Sequence, residues 1–407
     1  MNNKNHFKYL KSEFLCFKFN LSTFLVLFLL SCPIVFVQKV YADFEFQRPD
    51  LIYTTAWNII NEKFYFKKTC DLNTWENKFK NKINNADDAH KYINKLVKEL
   101  NDPYTQFLTQ EDFKEEQNVL NSTLVGIGIK LASDKPIVLD YLQGSPAQEA
   151  GFEKRDLIIA VNGKNTKRLS SKKVALLLRG PKDTSLTLKI KRGKDILTKT
   201  LMRREFEIKS VSAKILDNNI AYIKIDSFFP QNTVALLKGE LAKLMSVNGI
   251  VLDLRNNSGG LVKNAVEIAD MFLDEGKIFS TVTNNNIQNE YANSSIVTDS
   301  QIVVLVNENT ASASELLAGA LQENHRALVI GKRTFGKGLI QEIIQLPDQS
   351  GLHVTTAAYL TPSGLNINKR GIIPNETIFD EEKQLIRAEE VLLATNKHSE
   401  LNLVASK

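Results

Sequence analysis

From residue 206 to about 370, short apolar runs alternate with segments of helical period, and that alternation limits the architectures open to the chain. Ile220–Ile225, Gly249–Leu254, Ile302–Val306 and Ala327–Ile330 are too short for apolar helices and end in turn residues, so they read as buried strands. Between them, Val234–Met245, Val262–Phe272 and Ala313–Glu323 carry apolar residues at helix spacing. Strands joined through helices pair in parallel and bury both faces, so residues 206–380 are expected to form an α/β core. The run Glu381–Ala394 reads as a closing helix within a tail at 381–407.

Two other textures precede this core. Residues 119–205 form short apolar strands broken by turn residues, at Leu124–Leu131, Ile137–Tyr141, Leu157–Val161 and Leu186–Ile190, with one helix expected at Ser171–Leu178. This is a compact β-rich module. Residues 43–118 read as helical: Leu51, Ala56, Ile59 and Ile60, then Tyr92, Ile93, Leu96, Val97 and Leu100, recur at helix spacing. Asn101-Asp102-Pro103 stops the second run. A chain of 407 residues exceeds one core, which agrees with two or three domains.

The first 42 residues read as an export signal. A basic stretch through Lys18 leads into an uncharged run from Leu21 to Val37, and Val40-Tyr41-Ala42 offers a small-residue cleavage site. The run is also long enough to anchor the chain in a membrane. This segment carries a net +4 of the +6 formal charge, so the rest is nearly balanced. No Lys/Arg stripe with interleaved aromatics follows, and a nucleic-acid partner is set aside. Cys16 and Cys32 lie in the signal, leaving Cys70 alone, so an exported chain would have no internal disulfide.

Two constellations carry chemistry. Asn309-Thr310-Ala311-Ser312-Ala313-Ser314-Glu315 lies between a strand and an Ala/Leu-rich helix. A serine on such a turn exposes its hydroxyl while the first helical N–H groups face a developing oxyanion. Ser312 with Glu315 three residues on is equally a capping box. The second is Gly331-Lys332-Arg333-Thr334-Phe335-Gly336-Lys337-Gly338, followed by Leu339-Ile340-Gln341. Glycines let the backbone approach closely and bury the stem of Lys337. To act as a general base the lysine must be neutral, which asks its pKa to fall by about three units, roughly 4 kcal/mol. Desolvation supplies that kind of shift. Gln341 is placed to orient the amine. On an extended strand its Cα would lie about 13 Å from that of Lys337, so the contact needs a bend at Gly338 or a stretched lysine.

The same octad raises a rival. Gly331 through Lys337 fits the first seven positions of a phosphate-binding loop, with Val251-Leu252-Asp253 as a metal-binding strand. Against it, position 338 is Gly where a hydroxyl should ligate Mg²⁺, and Leu339–Leu346 alternates as a strand does. Asp253-Leu254-Arg255-Asn256-Asn257-Ser258-Gly259-Gly260 opens a helix after a buried strand and offers a second oxyanion donor or simply a tight turn. Gly126-Ile127-Gly128-Ile129 opens the β-rich module, where successive N–H groups can hold a terminal carboxylate. His6, His90, His325, His353 and His398 have neither zinc-ligand spacing nor an acid partner close in sequence.

With these residues in view, the chain resembles the C-terminal processing peptidases, or tail-specific proteases, over about residues 50–380. Asn101–Phe107 is similar to the family's stretch before its PDZ domain. Gly126–Ile129, Ser145-Pro146-Ala147, Ala150-Gly151 and Val161-Asn162-Gly163 resemble that domain, and Leu254–Gly260, Thr310–Glu315 and Thr334–Gln341 its protease motifs. The resemblance implies a crotonase/Clp-like α/β serine protease core with an inserted PDZ domain at 119–205 and helical flanks. It implies Ser312 as nucleophile, Lys337 as base, Gln341 as its orienter, and an oxyanion hole from Ala313 with Gly259 or Gly260. It also implies Gly126–Ile129 as the seat of substrate C-termini. The pattern departs at Ser258 (usually Pro), Lys332 (usually Glu), Arg155 (usually Gly) and Asn375 (usually Asp).

The expectation is therefore an endopeptidase of the periplasm or cell envelope that takes protein tails and needs neither cofactor nor metal. A homo-oligomer or an adaptor lipoprotein stays open as a partner. The alternatives are a catalytically silent tail-binding protein and a phosphate-loop nucleotide binder.

Overall fold

The structure is a computed structural model and describes residues 48–67, 71–132, 134–142, 144–244, 246–293 and 296–405. The expected signal segment, with Cys16 and Cys32, and Cys70 lie outside them. Among the described residues no helix is long and apolar enough to cross a membrane.

The chain enters through helix α1 (Pro49–Lys63) and helix α2 (Ala86–Glu99). Asn85 caps α2 by accepting the Asp88 N–H at 2.9 Å, and Asp87 and Asp88 complement the dipole in its first turn. The two helices bury Ile52, Trp57, Ile60, Ile93 and Leu96 against Leu352 and Val354. The helical expectation for this region misses strand β1 (Gln106–Leu108), which pairs with residues some 240 positions later. Three residues of pairing leave no period to read. Helix α3 (Gln110–Leu120) follows, capped by Thr109.

The β-rich module holds β2 (Thr123–Gly126), β3 (Ile129–Leu131), β4 (Val138–Tyr141), β5 (Leu157–Val161), β6 (Lys164–Asn165), helix α4 (Ser171–Leu178), β7 (Ser185–Arg192), β8 (Asp195–Met202) and β9 (Arg204–Glu207). The single strand expected at Leu124–Leu131 is two. Gly128 takes φ 74° and breaks the run, so β2 pairs with β9 while β3 pairs with β4. A Cβ at Gly128 would lie 2.3 Å from that of Ser145. Four strands in the order β6-β5-β7-β8 complete the module over a core of Ile158, Val174, Leu186, Leu188 and Ile190.

The core is built on β10 (Val211–Leu216), β11 (Ile220–Ile225), α5 (Thr233–Leu241), β12 (Ile250–Asp253), α6 (Val262–Phe272), β13 (Lys277–Val282), β14 (Ile287–Tyr291), β15 (Ile302–Val306), α7 (Ala313–Glu323), β16 (Ala327–Gly331), β17 (Leu339–Gln345), β18 (Gly351–Leu360), β19 (Glu376–Thr377) and α8 (Glu381–Ala405). Six strands lie in the order β10-β11-β12-β15-β16-β19, parallel from β11 onward. This is the α/β layer that the alternation predicts. Ile223, Leu252 and Val304 face Leu237, Ile268 and Leu317 of α5, α6 and α7 in one core. On the other face Val251, Val303 and Leu305 meet Ala388 and Leu392 of α8. Helix α5 ends at Leu241, short of the expected Met245, because the chain turns through Ser246 (φ 63°) and Gly249 to enter β12. A second, antiparallel sheet, β1-β18-β13-β14 with β17 on β18, covers the far side of the helices.

Candidate active site

Ser312 stands at the junction of β15 and α7 with φ 57° and ψ −120°, a left-handed conformation that a residue with a Cβ adopts at a cost of about 1–2 kcal/mol. The surroundings hold it there. Tyr359 donates its hydroxyl to the Ser312 carbonyl at 2.9 Å, the Ala311 N–H donates to the Asn257 carbonyl at 3.0 Å, and the Thr310 hydroxyl donates to the Leu254 carbonyl at 2.9 Å. The Glu315 carboxylate accepts the Ser312 N–H at 2.8 Å, so the cap foreseen at this position is present together with the strained turn. The two readings of Ser312 are compatible.

Glu315 does more than cap. Fully buried, it also accepts the Thr334 hydroxyl at 2.5 Å, the Gly336 N–H at 2.7 Å and the Lys337 N–H at 2.8 Å. The carboxylate therefore fastens the loop that carries Lys337 to the turn that carries Ser312. The glycines of that loop act as foreseen. A Cβ at Gly336 would meet the Arg370 nitrogen at 2.8 Å, and one at Gly338 the Asn368 nitrogen at 2.8 Å. Lys332 pairs outward with Glu308 at 3.2 Å, and the Gly336 and Lys337 N–H groups of the loop donate to Glu315.

Ser312 and Lys337 line one cavity of about 390 Å³ together with Gln341, Gly259, Gly260 and His353. Burial pushes the Lys337 ammonium below its ordinary pKa, against the pull of the Asp102 and Glu315 carboxylates. Its Nζ lies 4.6 Å from the centroid of the Tyr104 ring. Among the described residues no hydrogen bond joins it to Ser312 Oγ. Gln341 lines the cavity, beside a register shift in β17 between Ile340 and Gln341. Its Nε2 donates to Thr355 Oγ1 at 3.3 Å, which leaves its oxygen toward other donors.

The glycine turn lies against the serine. A Cβ on Gly259 (φ 97°) would come within 2.7 Å of the Ala311 oxygen and 2.9 Å of Ser312 Cβ. The Gly259 N–H is spent on Asn257 Oδ1 at 2.9 Å. Among the described residues neither the Gly260 N–H nor the Ala313 N–H, at the first turn of α7, makes a hydrogen bond. Ser258, in place of proline, is exposed on the cavity wall.

A second cavity, about 480 Å³, sits in the β-rich module between Leu124–Ala132 and α4. Gly126, Ile127, Gly128 and Ile129 line it, as do Ala175, Leu178 and Arg179. The Ile127 and Gly128 carbonyls turn away to the Ala147 and Leu142 N–H groups. Ser171, 5% exposed, brings a hydroxyl without a partner to the same wall. Arg179 pairs with Glu115 of α3 at the groove's end. Arg155 takes φ 77°, which explains why glycine suits that turn. Asn375 Oδ1 accepts the Val329 N–H at 2.8 Å and Gln322 Nε2 at 3.1 Å.

Sequence reasoning missed Tyr104, His353 and the reach of Glu315. His353 pairs with Glu116 at 2.7 Å and His90 with Asp348 at 2.6 Å, acids far off in sequence. The phosphate-loop alternative fails on topology: strand β17, not a helix, follows Lys337, and Asp253 is committed to Arg255 at 2.6 Å. Among the described residues no cluster of His, Cys, Asp and Glu could hold a metal ion.

Comparison with known proteins bears on the family and the fold. The family model for peptidase family S41 matches residues 219–378, and a PDZ-domain model matches residues 137–192. The carboxyl-terminal-processing protease of Synechocystis sp. is 34% identical over 366 residues, covering 86% of each chain. The chloroplastic carboxyl-terminal-processing peptidase 2 of Arabidopsis thaliana is 34% identical over 81% of this chain and 68% of its own. Among solved structures, a photosystem II D1 C-terminal processing protease superposes with a TM-score of 0.58 at 30% identity, over 82% of this chain and 94% of that one. A lipoprotein from Streptococcus agalactiae shares the fold, with a TM-score of 0.54 at 13% identity over 85% of this chain and 96% of its own. The chain belongs to peptidase family S41, as a PDZ-containing serine protease of the carboxyl-terminal-processing kind.

Proposed function

We propose that Ser312 is the nucleophile and Lys337 the general base of an exported endopeptidase that takes its substrates by their C-terminal tails. The observation that carries this is the shared cavity of Ser312 and Lys337, with Glu315 fastening both backbones. The neutral Lys337 amine takes the Ser312 proton as Oγ attacks the scissile carbonyl. The Ala313 and Gly260 N–H groups receive the oxyanion. Lys337 then gives the proton to the leaving amine, an ester remains on Ser312, and water activated by the same amine releases the acid. Gln341 orients the amine through its free oxygen.

In the groove at Gly126–Ile129, the loop N–H groups hold the tail carboxylate while the following strand pairs with the peptide. The proposed domains are a helical region at 43–118, a PDZ domain at 119–205, a protease core at 206–380 and a helical tail at 381–407. Residues 1–42 are proposed to direct export to the periplasm or cell envelope, as a cleaved signal or as an anchor. A homo-oligomer or a substrate-delivering lipoprotein is compatible with this reading.

The test is cleavage of an unfolded reporter with a free or an amidated C-terminus. The free form should be cut faster, and Ser312→Ala should leave both intact while still binding the tail. A fully active Ser312→Ala protein would end the proposal.

A further inference from the structure

Lys337 Nζ sits 4.6 Å from the centroid of the Tyr104 ring, inside the range where a cation meets a ring face. Tyr104 belongs to the corner that closes α2. Asp102, only 8% exposed, accepts the Tyr104 N–H at 3.2 Å and the Thr105 hydroxyl at 2.6 Å. Thr105 Oγ1 accepts the Thr355 N–H at 3.1 Å, and Thr355 Oγ1 accepts Gln341 Nε2 at 3.3 Å. A continuous chain of hydrogen bonds thus ties Asp102 to Gln341, through the strand beside the one Lys337 leads into.

The charged and titratable groups that face Lys337 come from three elements. Asp102 and Tyr104 belong to the corner, Glu315 to α7, and His353 of β18 lines the same cavity while paired with Glu116. Burial, then the Asp102 and Glu315 charges, push the Tyr104 phenol above its ordinary pKa, so at neutral pH the ring presents an uncharged face. A general base needs two environments: one that favours the free amine as it takes the proton from the nucleophile, and one that accommodates the ammonium in the resting enzyme before substrate binds. The dry cavity provides the first. The ring face and the carboxylate behind it provide the second.

We propose that the Asp102–Tyr104 corner is a positioning element of the catalytic pair: the Tyr104 ring seats the protonated Lys337 amine in the resting enzyme, and Asp102 fixes that ring. This rests on Lys337 being the base. By favouring the ammonium, the seat sets the pH at which the enzyme gains activity.

The experiment is the pH profile of kcat/KM, whose acid limb reports the base in the free enzyme. Removing the ring face in Tyr104→Leu should move the acid limb down by about 0.5 to 1 pH unit. Asp102→Asn should move it in the same direction, and Tyr104→Phe should restore the wild-type position. A corner with a structural role alone would lower kcat/KM at every pH and leave the limb in place, which would overturn the proposal. If Tyr104→Leu fails to fold, a ring-fluorinated phenylalanine in place of Tyr104 keeps the shape and drains the ring face. It must then lower the limb relative to Tyr104→Phe, or the proposal falls. Lys337→Met separates the two readings. Cleavage by that variant sinks both, whereas a dead Lys337→Met with an unmoved limb in Tyr104→Leu sinks only the seat.

Discussion

Glu315 Oε2 accepts the backbone N–H of Ser312 and that of Lys337, each at 2.8 Å, so one carboxylate oxygen sets the spacing between the two loops that carry the chemistry. Its other oxygen accepts from Thr334 and Gly336. Four donors on a buried carboxylate satisfy the charge, and the charge in turn holds the loops.

The first prediction concerns that clamp. Glu315→Ala leaves four donors without an acceptor, three of them buried, and a buried donor stripped of its partner costs about 1–3 kcal/mol. The protein should lose at least about 3 kcal/mol of stability, and kcat should fall by about 100-fold or more because the loops are no longer registered. Glu315→Gln keeps one acceptor oxygen and should be intermediate in both. Denaturant melts and steady-state kinetics report the two effects. Equal kcat in all three proteins would show that the clamp has no part in aligning the pair.

The second prediction follows from the closeness of Gly259 to Ser312. In Gly259→Ala the new methyl would press on the Ala311 carbonyl and Ser312 Cβ at a backbone angle of φ 97°. Both contacts are with the serine turn, so that turn must shift. Activity should fall by about 100-fold or more while the melting temperature drops only a few degrees. Gly163→Ala is the control, because a Cβ there meets nothing within 4 Å although φ is also positive. Comparable loss of activity in the control would refute the steric account.

Much of this site was legible before the fold was known, and the limits have physical causes. Ser312 and Lys337 stand on turns whose chemistry is local: a serine before an Ala/Leu helix and a lysine between glycines. Glu315 was legible only as a cap, since its bonds to Thr334, Gly336 and Lys337 cross up to 22 residues and depend on how β16 and β17 leave their sheets. Tyr104 and His353 lay hidden for the same reason: their partners arrive from other elements. Most of the parallel sheet was readable because β11, β12, β15 and β16 are dominated by buried apolar residues. Of the antiparallel sheet only β17 was, through the alternation of Leu339–Leu346. Strand β18 runs Gly-Leu-His-Val-Thr-Thr-Ala-Ala-Tyr-Leu, mostly buried and without clean alternation, and β1 contributes three residues to it.

The third prediction concerns the peptide groove. Arg179 at its end is held by Glu115, whose carboxyl burial pushes above the ordinary range while Arg179 pulls it back. Glu115→Gln frees the guanidinium to face an incoming tail. Peptides with a free C-terminus should bind a few-fold tighter, as expected for a partly exposed pair, and amidated peptides should be unaffected. Titration with fluorescent tail peptides measures this. A gain that is the same for free and amidated tails would show that the tail charge is not what Arg179 meets.

The fourth prediction is a pH dependence of the β-rich module. Asp156 is fully buried, which works to raise its pKa, but the Arg192 guanidinium at 2.7 and 2.8 Å and the Glu153 N–H at 2.9 Å outweigh burial and hold it below the ordinary value. A carboxyl with a depressed folded pKa stabilises the fold above its unfolded pKa, near 3.9, and loses that contribution as pH falls through the lower folded value. Asp156→Asn should therefore cost about 2 kcal/mol at pH 7, the scale of a hydrogen bond to a charged group. The gap between wild type and variant should hold from neutral pH down to about 4 and close below it. Denaturant melts of both proteins across that range, read by a probe in the module, give the difference directly. A gap that persists unchanged at pH 3 would mean that Asp156 stabilises through shape, not through its charge on Arg192.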